Sequence, residues 1–429
     1  MLEAALLAAV LIGAANIVWR FIAGGYPPQP FIYTTDGTFA DWFDVAYWAH
    51  HPGAYDVWGS VYPPLSFAFL KLFSVGRCYD LPMLHAGNCD WIGDWMILAI
   101  YALSGILVFR SLRLADRRTA LMRTVALWLG LPMLYALERG NLILPCFAFF
   151  VLGHGRGLRS AWLRWLSVAA TINFKPYLLF AALPLAARRR WRWLEGAGIA
   201  TLVVYLVSLA IVGSGTPLQL LNDQIAWSNF VSDQYWWNIF YSTTYAPLIQ
   251  AASAPYPLLL FVNSRSLELS TTLATLAIHL GQLGVLAALI GVWAMRAPTS
   301  NARLGALGLS LILTTTNPGG YTEVFLVFLV FLERWRGPVT GTALVAAYLL
   351  SIPYDHIVVP IFGNDQDDWI SGRYVETVFG LSVGQFVRPG LLLLIEYALV
   401  AATFVDIHRA VRDRANLPHA AAPVAAAAS

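Results

Sequence analysis

Long apolar runs separated by short polar segments dominate the chain. Clear examples are residues 2–23, 91–109, 196–213, 268–295, 338–352 and 389–405. A helix that crosses a bilayer needs about 20 predominantly apolar residues, and shorter apolar runs lie between these six. The pattern predicts an all-α polytopic integral membrane protein with about 11 to 13 transmembrane helices.

Several of the shorter runs cannot cross the bilayer alone. Residues 142–152, 163–174 and 177–187 fall below the length that spans about 30 Å at about 1.5 Å per residue. Helix ends and polar groups are tolerated at membrane depth only where they face protein or a water-filled cavity. We therefore expect these short helices to leave a notch that admits a lipid.

Composition agrees with a membrane protein and excludes a soluble one. Hydrophobic residues make up 58% of the chain and charged residues 12%, and the mean hydropathy is +0.62. Soluble domains carry about 25% charged residues. We expect one polytopic membrane domain over residues 1–412 and a disordered, alanine-rich cytoplasmic tail over residues 413–429.

Arginines occur in clusters between the apolar runs. The clusters comprise Arg110, Arg113, Arg117, Arg118 and Arg123; Arg156, Arg159 and Arg164; Arg188, Arg189, Arg190 and Arg192; Arg296 and Arg303; Arg334 and Arg336; and Arg409, Arg412 and Arg414. Under the positive-inside rule they mark the cytoplasmic side, so the intervening loops lie outside. The net charge of +3 is small, and we expect no nucleic-acid partner.

Two of the three cysteines lie in one short loop. Cys78 and Cys89 could form a disulfide if this loop faces an oxidising compartment, or could remain free thiols. Together with Cys146 they show no metal-ligand spacing, and we expect neither a metal nor a cofactor.

The first outer loop carries acids among aromatic residues. Asp41, Asp44 and Trp48 stand at i, i+3 and i+7, which places them on one helical face and predicts an amphipathic interfacial helix. An aspartate held beside aromatic rings at the membrane surface can act as general base on an acceptor hydroxyl, and Asp36 is a further candidate. These acids could equally be helix caps and solvated interface residues.

Two charged sites interrupt apolar sequence further along. Arg139 and Asn141 follow Glu138 near membrane depth, where a charge needs a partner or a ligand. Lys175 stands between two apolar half-helices and directly before Pro176, which ends the first. An ammonium at such an apolar boundary suits a phosphate. The alternatives are a Glu138–Arg139 pair and a lysine that reaches to the lipid headgroups.

The later outer loops are rich in aromatic, amide and charged side chains. The second outer loop includes Trp236 and Asn238; aromatic faces stack on sugar rings and amides bond to hydroxyls, although Trp and Tyr also populate interfacial belts. Tyr321 precedes Glu323, which opens a predicted helix where the macrodipole also favours an acid. Arg388 lies at the end of the last outer loop.

Several short motifs follow one another along the first half of the chain. The sequence reads DWFDVAYW, then GAYD and YPPL, then RGN, then NFKPY ahead of RRRWR. This order resembles the GT-C membrane glycosyltransferases, in particular glycosyltransferase family 87, the polyprenol-phosphate-mannose-dependent mannosyltransferase group. The resemblance covers about residues 1–200, and beyond them it extends only to the layout of helices.

The resemblance implies a GT-C-like fold and a catalytic base in the first outer loop. That base is Asp41, with Asp36 and Asp44 as rivals. The resemblance also maps the lysine–proline turn onto Lys175 and a glycine–amide pair onto residues 140–141. The predicted phosphate ligands are Lys175, Arg139, Asn141 and Arg388, and the predicted sugar or acceptor ligands are Trp48, Tyr62, Trp236, Asn238, Tyr321 and Glu323.

The predicted reaction is an inverting sugar transfer. Mannose, or another hexose or pentose, passes from a polyprenyl-phosphate donor to a lipid or glycan acceptor on the extracytoplasmic side of a bacterial inner membrane. A lipid-linked donor fits a chain without a nucleotide-binding motif. Two other interpretations stay open: a transporter or flippase of a lipid-linked sugar, and a polysaccharide polymerase or ligase.

Overall fold

The structure is a computed structural model. It describes residues 1–31, 38–80, 86–213, 215–216, 218–233, 244–245, 249, 262–315, 319–367 and 374–415. Three predicted site residues, Asp36, Trp236 and Asn238, lie outside the described residues, as do residues 416–429 of the predicted tail.

The chain is mostly helical, and we number its α-helices in order. They are α1 (Leu2–Gly24), α2 (Ala40–His50), α3 (Pro64–Leu72), α4 (Trp91–Ala115), α5 (Ala120–Trp128), α6 (Leu131–Glu138), α7 (Ile143–His154), α8 (Ala161–Phe174), α9 (Leu179–Ala182), α10 (Trp191–Val212), α11 (Gln219–Asp233), α12 (Ser264–Met295), α13 (Asn301–Thr315), α14 (Glu323–Phe331), α15 (Pro338–Leu350) and α16 (Gly384–Ala415). Helix α16 includes residues 413–415, which the sequence had assigned to the tail.

Five of these helices are long and apolar enough to cross a membrane. They are α1, α4, α10, α12 and α16, and the pair α5 and α6, bent by 41°, gives a sixth if it forms one span. The prediction of an α-helical membrane protein is confirmed at this level. The count of about 11 to 13 spans and the GT-C-like fold stay predictions.

Lipid-facing and buried helices are clearly distinguished. The side chains of Ile199, Leu202 and Val203 on α10 are exposed, as expected of a helix in contact with hydrocarbon. In contrast, every residue of α14 is buried, and α13, α15, α6 and α7 pack around it. The centre of the protein is thus an apolar bundle built on α14.

Short helical elements surround the position predicted to form a notch. Helix α7 has 12 residues and α8 has 14, so α8 is about 21 Å long. After Lys175 the chain continues as a 3-10 turn (Pro176–Leu178), α9 and a second 3-10 segment (Leu183–Arg188). The predicted break between two half-helices is confirmed at Lys175.

Two arginines of the basic clusters are buried and connect helices inside the protein. Arg123 on α5 is 2% exposed and pairs with Glu3 of α1 at 2.7 Å, and it donates to the Phe331 and Glu333 carbonyls. Arg303 on α13 pairs with Glu333 and with Asp406 of α16, both at 2.5 Å. These arginines stabilise the packing of the helices.

The loop that precedes α4 is cross-linked. Cys78 and Cys89 form a disulfide with a Cα–Cα distance of 5.5 Å, which is the oxidised alternative left open by the sequence. Asp90 accepts hydrogen bonds from the Val75 and Gly93 backbone N–H groups and from the Tyr79 hydroxyl. Together these bonds fix the start of α4.

The last predicted outer loop contains β structure. Strands β1 (Ile357–Asp367) and β2 (Tyr374–Ser382) form an antiparallel pair with bulges near residues 357–362. The Gln29 side chain donates to the Gly380 carbonyl at 3.0 Å and accepts from its N–H at 2.9 Å. The hairpin is thereby joined to the segment after α1, an addition to the all-α prediction.

Candidate functional site

The start of α2 is tied to the polar turn after α6. The Phe39 N–H donates to the Glu138 carbonyl at 2.8 Å, and the Asp41 N–H donates to the Arg139 carbonyl at 3.1 Å. Gly140 has a φ of +58°, and a Cβ atom there would lie 2.9 Å from the Phe39 Cα atom. Glycine therefore allows both the turn and the close approach of the two backbone segments.

The Asp41 carboxylate is held by two side chains of that turn. Arg139 Nη2 donates to Asp41 Oδ1 at 2.6 Å, and Asn141 Nδ2 donates to Asp41 Oδ2 at 2.5 Å. The Asp41 side chain is 18% exposed and that of Arg139 is 15% exposed. Both carboxylate oxygens are thus oriented, and a ligand can still reach them. Arg139 forms a salt bridge with Asp41, whereas the Glu138 carboxylate accepts from the Tyr26 hydroxyl and interacts with Arg139 electrostatically.

Side chains from distant segments converge on this carboxylate. Tyr62, just before α3, lies within electrostatic reach of Asp41, as does Tyr321, just before α14. The side chains of Tyr321 and Asn141 are hydrogen-bonded. Lys175 Nζ lies over the Tyr62 ring, 4.5 Å from its centroid. The structure therefore brings together predicted site residues from five separate segments.

Burial and charge shape the protonation of the groups around Asp41. Burial, reinforced by the neighbouring Asp41 and opposed by Arg139, raises the pKa of Asp44 to about 6. Burial also lowers the pKa of the Lys175 ammonium, whereas Asp41 opposes that shift. Among the described residues Lys175 forms no salt bridge. Its charge is offset by the Tyr62 ring, which leaves it able to receive an anionic ligand.

An apolar groove begins beside the Tyr62–Lys175 pair. Its cavity measures about 560 Å³ and is lined by Pro63 and Pro176, the residues that directly follow Tyr62 and Lys175. Helices α8, α9, α10 and α11 supply the other walls. The lining residue Leu202 is exposed on the lipid-facing surface. The groove therefore runs from the residues next to Tyr62 and Lys175 to the exposed apolar surface of α10, where the sequence predicted a notch.

Helix α11 brings the second outer loop to the same groove. Leu220 and Gln224 line the cavity, and the Gln224 amide donates to the Val61 carbonyl at 3.4 Å. Gln224 belongs to the amide-rich sequence expected to bind sugar. It is placed next to Tyr62, whereas Trp236 and Asn238 of the same loop fall outside the described residues.

Two predicted ligands lie elsewhere or make other contacts, and a third is buried at a helix start. Arg388 pairs with Asp355 at 3.1 Å, at the base of the β-hairpin, so the structure does not bring it to Asp41. Trp48 lines a separate cavity of about 240 Å³ with His50 and Lys71. Glu323 is buried at the first residue of α14, where the sequence predicted a helix start.

Two residues around the site were not singled out from the sequence. Tyr177 follows the lysine–proline turn and lies within electrostatic reach of both Tyr62 and Tyr321. Tyr26, in the segment after α1, donates to Glu138 and accepts from Thr38, which ties that segment to the Asp41 turn. Tyr177 could have been noted because it adjoins Lys175, but no sequence pattern marks Tyr26.

No metal centre accompanies this site in the part of the chain that the structure describes, where no three His, Cys, Asp or Glu residues group closely enough to hold an ion. Comparison with protein-family models, with curated proteins and with solved structures finds no match to the chain. The resemblance to glycosyltransferase family 87 therefore stays a prediction from the sequence motifs. The functional argument rests on the geometry around Asp41 and Lys175.

Proposed function

We propose that the protein is a membrane glycosyltransferase that transfers a sugar from a polyprenyl-phosphate donor to a hydroxyl of a lipid or glycan acceptor. One observation carries the proposal: an oriented, accessible carboxylate lies within electrostatic reach of a tyrosine whose ring contacts a cation, and this cation forms no salt bridge among the described residues and lies beside an apolar groove. These are the groups that a transfer from a lipid phosphate needs.

The groove suits the isoprenoid chain of the donor, and Lys175 suits its phosphate. The isoprenoid chain lies in the apolar groove, so its phosphate reaches the Lys175 ammonium. An ammonium next to apolar surface gains much from an anionic partner because water competes weakly there. As the bond from the sugar C1 to the phosphate oxygen breaks, Lys175 stabilises the charge that develops on the leaving phosphate.

Asp41 suits the role of base towards the acceptor. The acceptor hydroxyl attacks C1 from the face opposite the phosphate, and its proton passes to the Asp41 carboxylate. Arg139 and Asn141 orient that carboxylate, which reduces the cost of reaching the reactive geometry. The products are the glycosylated acceptor, with inverted C1, and the polyprenyl phosphate. Tyr62, whose ring lies beneath the Lys175 ammonium, supplies an aromatic surface of the kind that stacks on sugars.

A direct assay tests this function. The purified protein in lipid vesicles is incubated with a panel of radiolabelled polyprenyl-phosphate sugars, including mannose, other hexoses and pentoses, and with membrane extract as acceptor source. Transfer of label, or release of free sugar, by the wild type but not by Asp41→Asn supports the proposal and identifies the donor. Donor binding without either product across the whole panel contradicts it and favours a transporter of the lipid-linked sugar.

A further inference from the structure

A second charged cavity lies away from the Asp41 site. Five arginines line it together with Leu114 and Gly157, and its volume is about 690 Å³. The five are Arg110, Arg113, Arg117, Arg156 and Arg159; we call this the arginine cavity. Ile97, near the start of α4, lies beside Gly140 of the Asp41 turn, and Arg110 is 13 residues further along the same helix, or about 20 Å.

Two segments of the chain build the arginine cavity. Arg110 and Arg113 lie in the last turns of α4, and Arg156 and Arg159 lie in the loop between α7 and α8. The Arg156 backbone N–H donates to the Ser111 hydroxyl at 3.0 Å. A Cβ atom at Gly155 would lie 2.5 Å from that same hydroxyl oxygen. The loop therefore rests directly on α4, and the arginines are held together by the fold.

Among the described residues, no acid forms a salt bridge with an arginine of the arginine cavity. The salt bridges of the described residues involve Arg123, Arg139, Arg303 and Arg388, and none involves a residue of the cavity. The nearby Asp116 carboxylate accepts from the Arg118 backbone N–H. Like charges gathered around one cavity repel one another, and salt screens this repulsion only over about 8 Å under physiological conditions. An anion bound among them would remove that repulsion.

An apolar stripe on α4 leads from the membrane to these arginines. Leu103, Ile106, Arg110 and Arg113 follow one another along α4 at spacings of three and four residues, so they lie on one helical face. The side chains of Leu103 and Ile106 are 47% and 65% exposed. A molecule with acyl chains and an anionic head would contact both the apolar part and the charged part of this face. A free anion would contact only the charged part.

We infer that the arginine cavity binds the phosphate headgroup of an anionic phospholipid whose acyl chains lie along Leu103 and Ile106. Guanidinium groups bind phosphate oxygens through paired hydrogen bonds, and several in one cavity favour a headgroup with more than one phosphate. Basic pockets beside membrane helices are known sites for such headgroups. The bound lipid would join the end of α4 to the loop between α7 and α8.

Lipid retention tests this inference in the full-length protein. The protein is purified in mild detergent, and native mass spectrometry measures the affinity for diphosphatidylglycerol, phosphatidylglycerol, phosphatidylcholine and soluble pyrophosphate. The test variant is Arg113→Gln/Arg156→Gln, and Arg113→Lys/Arg156→Lys keeps the charge. The matched control, Arg409→Gln/Arg412→Gln, removes two exposed arginines of α16 that lie outside the arginine cavity.

We expect diphosphatidylglycerol to bind most tightly and phosphatidylcholine least. Each arginine near an anionic headgroup contributes about fivefold in affinity, so the glutamine pair should weaken binding roughly 25-fold. The lysine pair should retain most of it, and the α16 control should stay within about twofold of the wild type. Added salt should weaken binding in the wild type.

Three results would overturn the inference. In the first, the α16 control loses as much affinity for diphosphatidylglycerol as the glutamine pair does. In the second, the wild type binds phosphatidylcholine as tightly as the anionic lipids. In the third, the wild type binds pyrophosphate but retains neither anionic lipid. Each variant is first checked for a single elution peak and an unchanged thermal midpoint. If the glutamine pair does not fold, the same comparison is made with Arg159→Gln, whose side chain lies in the exposed loop.

Discussion

The guanidinium of Arg139 lies 2.6 Å from the carboxylate of Asp41, 98 positions earlier in the chain. This contact joins α2 to the polar turn after α6, and the Asn141 amide donates to the other carboxylate oxygen. The pair is neither fully buried nor fully exposed. It can therefore orient a reactive group while leaving it open to substrate.

Replacing Asp41 tests the assignment of the base. Asp41→Asn keeps the size of the side chain and removes its basicity, so sugar transfer should fall by about 100-fold or more while donor binding is retained. The control is Asp56→Asn, which changes an exposed acid of the same loop and should leave transfer unchanged. Transfer rates in lipid vesicles measure the effect, and normal turnover by Asp41→Asn would contradict the assignment.

Replacing Lys175 tests the donor phosphate site. Loss of one charged hydrogen bond costs about 1.5–3 kcal/mol, so Lys175→Ala should raise KM for the donor by about 10- to 100-fold. Lys175→Arg should restore part of the affinity because it keeps the positive charge. The chain has one other lysine, Lys71, which is exposed, and Lys71→Ala should behave as the wild type. Equal KM values for Lys71→Ala and Lys175→Ala would exclude Lys175 as the phosphate ligand.

The pKa of Asp44 gives the site a pH dependence. Because this pKa is raised from 3.8 to about 6, Asp44 becomes negative as the pH rises through about 6, and its charge then attracts the acceptor proton towards the site. Transfer by the wild type should therefore rise over that range, and Asp44→Asn should lose this inflection. If the inflection near pH 6 persists in Asp44→Asn, it arises from another titrating group.

The same shift predicts a change in stability with a definite sign. The folded protein binds the Asp44 proton more tightly than the unfolded chain does, so folding is favoured by this group at low pH, and that contribution is lost as the pH rises from about 4 to 6. Asp44→Asn should therefore raise the thermal midpoint at pH 7.5 more than at pH 4. The comparison is made in the same detergent by fluorescence-detected unfolding, and an equal change at both pH values would contradict it.

Gly140 tests whether the approach of the two backbone segments controls activity. Gly140→Ala adds a methyl group 2.9 Å from Phe39 at a φ of +58°, whereas Gly59→Ala adds one at a φ of +56° with nothing within 4 Å. Both carry the backbone strain of about 1–2 kcal/mol, but only the first displaces Asp41 from Arg139. Misplacement of a catalytic group by about 1 Å can cost 100-fold. We expect transfer to fall in Gly140→Ala alone; equal rates in both variants would show that the contact is not required.

The disulfide gives a prediction that does not depend on function. Cys78 and Cys89 are 11 residues apart, and closing a loop of this size stabilises the folded state by about 3 kcal/mol. Reductant should lower the thermal midpoint of the wild type to that of Cys78→Ala/Cys89→Ala and should not change the double variant. A wild-type midpoint that is insensitive to reductant under conditions that open the bridge would contradict this stabilising role.

The sequence by itself determined the class of protein and much of the local structure. Apolar runs near 20 residues predict helices because an unpaired backbone group is costly in hydrocarbon, and α1, α4, α10, α12 and α16 confirm this. The break at Lys175 was equally predictable because Pro176 cannot continue a helix. Both are properties of neighbouring residues, which a linear pattern records.

The partners of the charged residues were decided only by the tertiary structure. Glu138 adjoins Arg139 in the sequence, yet Arg139 pairs with Asp41, because the backbone bonds of residues 39 and 41 bring α2 onto the turn. Arg388, grouped with the phosphate ligands from the sequence, pairs with Asp355 instead. A charge inside a membrane protein finds its partner across a bundle, and packing between segments far apart in the chain sets that choice.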